Sequence, residues 1–293
     1  MRGCHLILPC WILFVPTGSS STPRAYHYTS WSDDPKPYLQ AIQKSHASTH
    51  TAPASGQDIR AGIVPYHFLA SGLMVRFFDR LRAEASPETV LLIGPNHFHH
   101  GRASISLSSL PWKTPFGVME TDRSVTQQIE AATGLPEDTE AFTGEHSLGV
   151  LVPLVKYYFP SCRLVPLLID VNAEEPKVAA LRSVLTGFLK NPQVLVLLSM
   201  DFSHNSDSRV AEMRDEEAER VISKLDVDKV DSLHVDCHKG LWLLLSSLRD
   251  LGSVVVVQVK EHSNSSHLTG NRKQTNVTSY FTVWFTKSAG RGD

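Results

Sequence analysis

The chain has 293 residues, of which 42% are hydrophobic and 20% are charged, and its formal net charge is -2. This balance argues against a broad basic surface for nucleic acid, and no apolar run reaches the roughly 20 residues that a membrane helix needs. Four scattered cysteines are too few for a disulfide framework, so the composition predicts a globular protein with a sizeable core.

Two segments are predicted ahead of the body of the sequence. Residues 1–22 combine one basic residue, a short apolar run and small polar residues, which is the outline of a signal peptide. The alternative is an upstream extension. A signal peptide would place the protein outside the cell, whereas an extension, which we favour, would leave it in the cytoplasm. Residues 23–58 are predicted to form a polar linker with one short amphipathic helix near residues 37–44.

The body, residues 59–287, alternates short apolar runs with helical patterns. Runs that are apolar throughout are typical of strands buried on both faces, and helices between them indicate crossover connections. Strands are predicted at 63–64, 89–93, 163–169, 194–198, 254–259 and 278–285. Helices are predicted at 72–82, 179–189, 209–225 and 241–248. This alternation predicts an α/β sheet covered by helices, followed by a tail at 288–293.

Titratable side chains collect at loops and at the ends of the predicted strands, where open α/β sheets bind their ligands. The clusters fall at residues 65–67, 94–100, 144–147, 201–204 and 236–238. Histidine, carboxylate and cysteine side chains are the donors that first-row transition metals use. Each residue also has a simpler structural explanation; for example, Glu145 could stabilise a helix start and Cys237 could be an inert buried thiol. The metal prediction therefore depends on these side chains meeting in space.

Eight short motifs follow one another along the body. They read IVPYH at 63–67, LIGPNH at 92–97, WKTPFG at 112–117, DR at 122–123, EHSL at 145–148, VPL at 165–167, SMDFSH at 199–204 and DC at 236–237. In this order they resemble the Memo-like family, also known as AmmeMemoRadiSam system protein B. That family is similar in fold to the class III extradiol ring-cleaving dioxygenases. The resemblance implies a single α/β domain with a central mixed sheet flanked by helices and a metal pocket at one edge.

The resemblance also implies that two histidines and one cysteine surround the metal. His97 and Cys237 match two of these positions. The third position directly follows a proline, where this chain has Tyr66, with His67 one residue further on. Adjacent residues of a strand point to opposite faces, so His67 reaches the metal only if the chain has left strand geometry. We expect His67 to be the ligand; the alternatives are Tyr66 as a phenolate and an empty site.

Four further residues match family positions around the pocket, namely Glu145, His146, Asp201 and His204. They would act as acid–base groups or support the ligands. The His/Cys set suits iron or copper and does not exclude zinc. We expect redox or dioxygenase-related chemistry on an unknown substrate. The family name further implies association with AMMECR1-like and radical-SAM proteins.

Two alternatives to this chemistry stay open. The first is a non-catalytic module that binds a small molecule or a peptide beside a degenerate metal site, which the altered motif at Tyr66 favours. The second is a zinc-type hydrolase with Glu145 or Asp201 as the base.

Overall fold

A computed structural model describes residues 33–48, 55–253 and 255–288 of the chain. The strands in these residues are β1 (Asp58–Val64), β2 (Thr89–Pro95), β3 (Ile105–Leu107), β4 (Trp112–Thr114), β5 (Gly117–Met119), β6 (Arg163–Ile169), β7 (Val194–Ser199), β8 (Val255–Asn264) and β9 (Ser279–Lys287). The α-helices are α1 (Lys36–Ser48), α2 (Ser71–Glu84), α3 (Arg123–Thr133), α4 (His146–Gly149), α5 (Leu151–Tyr158), α6 (Glu175–Lys190), α7 (Ser208–Lys224), α8 (His238–Arg249) and α9 (Ser265–Thr269). The signal peptide or extension predicted at 1–22 and residues 289–293 of the tail lie outside the described residues.

Seven strands form one mixed sheet in the order β3-β6-β2-β7-β1-β9-β8. The inner strands β6, β2, β7 and β1 are parallel to one another, whereas β3, β9 and β8 pair in antiparallel fashion towards the two edges. Parallel neighbours need long crossover connections, and helices fill them here. The predicted mixed α/β sheet is therefore confirmed.

Both faces of the inner strands are buried because alternate side chains enter different hydrophobic clusters. Ile63 and Leu198 pack into the cluster that α6 and α8 cover, whereas Val64 and Leu197 pack into the cluster that α2 and α5 cover. Two covered faces explain why these strands read as continuous apolar runs and not as an alternation of apolar and polar residues.

The predicted elements differ from the structure mainly at their ends. The predicted strand 163–169 coincides with β6, whereas β8 continues to Asn264, beyond the predicted end at 259. Helix α3 was not predicted, because its buried side chains are only Thr126 and Ile129 and it therefore lacks a clear apolar stripe.

The helix predicted inside the linker lies against the body of the fold. It forms α1, in which Tyr38 is 1% exposed and Ile42 is 4% exposed. Tyr38 also donates its hydroxyl to the backbone carbonyl of Val150 at 3.3 Å. This part of the predicted linker thus contributes to the core, and the domain limits themselves stay predictions.

The carboxyl ends of β1, β7 and β2 lie side by side in the sheet. The register pairs Val64 with Ser199, the last residues of β1 and β7. Because the chain leaves the sheet at these points, the residues that follow meet at one edge. They are Tyr66 after β1, Asp201 and His204 after β7, and His97 after β2.

Candidate metal centre

Tyr66 lies at the middle of this edge, between His97 and Asp236. Its Oη is 2.9 Å from Nε2 of His97 and 2.6 Å from Oδ2 of Asp236. Burial, followed by the charges of Asp236 and Asp201, raises the pKa of the phenol far above its ordinary value. The phenol therefore keeps its proton, which it donates to Asp236.

Glu145 holds the opposite side of the His97 ring. Its Oε1 is 2.9 Å from Nδ1 of His97, and its Oε2 accepts the backbone N–H of His97 at 2.7 Å. The carboxylate also caps α4 by accepting the backbone N–H of Ser147 at 2.8 Å. Burial raises the pKa of Glu145, but the bonds to His97 and Ser147 outweigh burial and lower the pKa overall. The ionised carboxylate at Nδ1 orients the ring so that Nε2 faces the site. Histidines that bind metals are commonly held in this way, by a carboxylate on the ring nitrogen that does not face the metal.

His146 stacks on His97, with ring centroids 4.6 Å apart and planes at 28°. Burial lowers the pKa of His97, but the bond to Glu145 and the charges of Glu145 and Asp236 outweigh burial and raise it. The pKa of His146 is lowered, first by burial and then by the charge of His97. A proton therefore binds His97 more readily than it binds His146. His146 is the ring of the pair that stays neutral and can accept a proton.

Two aspartates lie next to each other beside Tyr66. The backbone N–H of Asp201 lies 3.2 Å from both carboxylate oxygens of Asp236. Oδ1 of Asp201 accepts the backbone N–H of Tyr66 at 3.3 Å. Burial, and then the charge of Asp236, raises the pKa of Asp201 well above its ordinary value. Asp201 thus holds a proton far more readily than an exposed aspartate.

His204 points a nitrogen at Asp236 without forming a hydrogen bond. Its Nε2 is 3.7 Å from Oδ2 of Asp236, is buried, and has no hydrogen-bond partner among the described residues. Buried polar atoms normally have partners, so an unpaired imidazole nitrogen facing a carboxylate indicates a position for an ion or ligand.

Two imidazole nitrogens face the same carboxylate oxygen of Asp236. Nε2 of His97 lies 3.9 Å from the same Oδ2 that faces His204 at 3.7 Å. Two ligand atoms that each lie about 2.1 Å from a transition metal are at most about 4.2 Å apart. Two imidazoles and one carboxylate are also a common ligand set of non-haem iron.

Two donor groups can be defined within the described residues. In each, one ligand atom per residue lies within 4.8 Å of the others: the first contains His97, Glu145 and His146, and the second contains Asp201, His204 and Asp236. In the first group Glu145 is already bonded to Nδ1 of His97. The second group contains the unpaired nitrogen of His204, so it is the better position for an ion.

His67 faces a different neighbour. Its Nδ1 is 2.5 Å from Oη of the buried Tyr280, and the two rings are 5.7 Å apart. Burial, and then the charge of His204, lowers the pKa of His67. His67 belongs to neither donor group.

Cys237 lies at the start of α8 and is 3% exposed. It packs in the hydrophobic cluster that contains Leu198, and burial, followed by the charge of Asp236, raises the pKa of its thiol. A Cβ added at Gly240 would lie 2.6 Å from its Sγ, so the thiol packs tightly against the first turn of α8. Cys237 belongs to neither donor group, and the ligand set of His67, His97 and Cys237 stays a prediction.

Asp236 was not among the predicted site residues. In the DC motif the resemblance implies a metal-binding role for the cysteine, and in the structure the adjacent aspartate lies beside Tyr66, His97 and His204. The signal available in the sequence was the position of this carboxylate just before a predicted buried helix, which does not reveal its distant neighbours.

A cavity of about 240 Å³ opens beside the Tyr66 ring, and its lining includes His67, His146, Asp201 and His204. This space is large enough for several waters or for one small organic molecule. The predicted acid–base residues His146, Asp201 and His204 therefore share one solvent-connected space, whereas Glu145 is buried behind His97.

Sequence comparisons relate this chain to one protein family. A family model described as "Memo-like protein" matches residues 27–283. A "MEMO1 family protein" of Pyrobaculum arsenaticum is 30% identical over 59% of this chain and 63% of its own length. Another, from Pyrobaculum aerophilum, is 26% identical over 76% of this chain and 83% of its own length.

A solved structure of an uncharacterized Escherichia coli K12 protein superposes with a TM-score of 0.53 at 9% identity, covering 76% of this chain and 98% of the other. This neighbour has an extradiol-dioxygenase-like fold, which confirms the predicted fold class. Among the described residues, no helix combines the length and the apolar character that a membrane span requires.

Proposed function

We propose, from the premise that this chain belongs to the Memo-like protein family, that it binds iron or copper at the carboxyl ends of β1, β7 and β2. The metal would lie at Asp236, held also by His204 and by either Asp201 or His97, and zinc is an alternative occupant. The bound metal would support redox or dioxygenase-related chemistry on a small molecule that enters the adjacent cavity.

The observation that carries this proposal is the unpaired Nε2 of His204. It is buried, faces Oδ2 of Asp236 at 3.7 Å, and has no hydrogen-bond partner among the described residues. Leaving such an atom without a partner costs about 1–3 kcal/mol, and a cation between the imidazole and the carboxylate would remove that cost.

A bound iron or copper ion would supply Lewis acidity and one-electron chemistry. The residues around it would orient the ion and move protons. Glu145 holds the His97 ring from behind through Nδ1. His146, whose pKa is lowered, can accept a proton from a hydroxyl group in the cavity at neutral pH. Asp201, whose pKa is raised, can hold a proton and return it.

Metal content tests this proposal. The full chain, purified without a histidine tag, is expected to contain near-stoichiometric metal by elemental analysis. His204→Ala and Asp236→Asn should each lower the content severalfold, because each removes a donor. The exposed His99, bonded to Asp170, gives the matched control His99→Ala, which should leave the content unchanged.

Cys237→Ala and His67→Ala extend the same measurement to the other predicted ligands. Loss of metal in these two variants with retention in His204→Ala and Asp236→Asn would reassign the ligands to the His67, His97 and Cys237 set. Absence of metal from the unmodified chain, even after anaerobic reconstitution, would contradict metal binding.

A non-catalytic binding module is a second candidate, because the Tyr66 phenol lies between His97 and Asp236. In that case the cavity would bind a small molecule or peptide without metal, and ligand binding would survive the His204→Ala change. The association with AMMECR1-like and radical-SAM proteins stays a prediction. The compartment depends on residues 1–22, and cleavage of this segment on secretion would test it.

A further inference from the structure

We propose that His67 binds a ligand in the cavity beside Tyr66 by donating its Nε2–H to an uncharged carbonyl oxygen, and that Tyr280 fixes the His67 ring in the form that can do so. The ligand class is a small, neutral carbonyl compound with an apolar body. This inference rests on the part of the proposed function that places a small molecule in the cavity, and it needs no metal.

The hydroxyl of Tyr280 determines which nitrogen of His67 carries the proton. Oη of Tyr280 lies 2.5 Å from Nδ1 of His67, its only hydrogen-bond partner among the described residues. Burial, and then the charge of Asp201, raises the pKa of this phenol, so the phenol keeps its proton. A buried O–H needs an acceptor, and here that acceptor is Nδ1. Nδ1 therefore carries no proton of its own.

The remaining nitrogen of the His67 ring is left for a ligand. A neutral imidazole with an unprotonated Nδ1 carries its single proton on Nε2, which makes Nε2 a donor. His67 is exposed and lines the cavity, and its Nε2 has no partner among the residues that the structure describes. The ring therefore offers the cavity one fixed N–H group, whose natural partner is an acceptor oxygen.

The surroundings of the cavity select an uncharged ligand. Tyr66 lines the cavity and donates to Asp236 at 2.6 Å. Glu145, which is ionised, lies behind His97. These carboxyl groups disfavour a second negative charge in the cavity, and an ammonium group offers no acceptor to an N–H donor. The buried ring of Phe68 also lines the space and suits an apolar body, so a neutral carbonyl compound fits best.

The position of the proton is the first measurement. The histidine rings of the full chain are isotopically labelled, a chelator removes paramagnetic ions, and long-range proton–nitrogen correlation distinguishes protonated from unprotonated ring nitrogens. The signals of His67 are those missing from His67→Phe. We expect an unprotonated Nδ1 and a protonated Nε2, and a mixture of both neutral forms in Tyr280→Phe. Tyr158→Phe removes another buried tyrosine hydroxyl, bonded to Asp79 at 2.8 Å, and should leave the His67 signals unchanged.

Three probes that share one aromatic ring test the ligand class: benzamide, benzoate and benzylamine. Calorimetry on the full chain as purified measures their affinities. Benzamide should bind most tightly and should shift the Nε2–H signal of His67. His67→Phe keeps a ring but lacks the donor, so it should bind benzamide about five- to tenfold more weakly. Benzylamine has no acceptor, and its affinity should be the same in both chains.

A second variant covers misfolding of His67→Phe. His67→Gln carries an amide N–H in place of the Nε2–H group and should keep most of the affinity for benzamide. Circular dichroism of each variant compares its fold with that of the unmodified chain.

The outcomes separate this inference from metal binding. A proton on Nδ1 of His67, or its loss from Nε2 when zinc is added, would overturn the inference. Equal benzamide affinity in His67→Phe, tighter binding of benzoate or benzylamine, or binding of none of the three probes would overturn it as well. Metal content is measured independently, so either proposal can fail while the other stands.

Discussion

His97 is held through both ring nitrogens, by a carboxylate on one side and a phenol on the other. Glu145 is 1% exposed and yet ionised, because His97 and the backbone N–H groups of His97 and Ser147 donate to it. This arrangement turns Nε2 of His97 towards Tyr66 and the site. The orientation of a single ring thus depends on one buried charge.

Glu145→Gln is expected to weaken metal binding about 10–100-fold, because the loss of a second-neighbour carboxylate loosens the ligand and reduces its basicity. Competition against a coloured chelator measures the affinity. A neutral amide keeps the volume, so an unchanged affinity would show that the charge of Glu145 has no role in orienting His97.

The contact between Glu145 and His97 also predicts how metal affinity depends on pH. Glu145 raises the pKa of His97 against the effect of burial, and a metal must replace the proton on Nε2. Affinity in the unmodified chain should therefore rise with pH until it passes the raised pKa of His97. In Glu145→Gln this rise should shift to lower pH, and a shift in the opposite direction would contradict the assignment.

Helix α7 is tied to the site through one buried carboxylate. Asp215 is 1% exposed and accepts from Ser203 at 3.0 Å and from Ser279 at 2.6 Å, and its other oxygen is 2.8 Å from Nε2 of His262. Ser203 directly precedes His204, whereas Ser279 and His262 belong to β9 and β8. The carboxylate therefore connects a helix, two strands and the loop that carries a proposed ligand.

Asp215→Asn is expected to lower the free energy of unfolding by about 1–3 kcal/mol, because buried donors lose a charged acceptor. Urea unfolding followed by circular dichroism measures the change. Glu216→Gln, at an exposed position of the same helix, should have almost no effect. Equal stability of the two variants would mean that the Asp215 network does not stabilise the fold.

At the scale of the whole molecule, α1 extends the core beyond the seven-stranded sheet. The Tyr38 ring meets Phe68 edge to face at 5.1 Å and Phe116 at 6.0 Å, and Ile42 is buried on the same helix. Phe68 follows Tyr66 and His67 in the chain, so the packing of α1 supports the loop that carries the site.

Ile42→Ala is expected to lower the free energy of unfolding by about 2–5 kcal/mol, the usual cost of a cavity at a buried aliphatic side chain. Gln40→Ala, at an exposed position of α1, should change stability by less than about 0.5 kcal/mol. Thermal unfolding of the full chain compares them. Equal melting temperatures would show that α1 behaves as the linker predicted for residues 23–58.

The strands that could be predicted from sequence are those whose residues are apolar on both faces. β6 and β7 were placed to within one residue because burial on two faces requires an unbroken apolar run. Helix α3 could not be found in this way, since it buries mainly Thr126 and Ile129 and its remaining face is polar. Hydrophobic periodicity in the sequence thus indicates which elements are buried, and it does not predict elements that bury few apolar side chains.

The sequence by itself determined the mixed α/β class and the clustering of titratable residues at the carboxyl ends of strands. Apolar runs specify strands, and the direction of parallel strands determines where the following residues meet. Only the tertiary structure decided that Tyr66 and not His67 faces His97, and that Asp236 and not Cys237 bonds to the Tyr66 phenol. These residues lie outside the regular strands, where no period relates neighbouring side chains, so long-range packing alone turns Tyr66 towards Asp236 and His67 towards Tyr280.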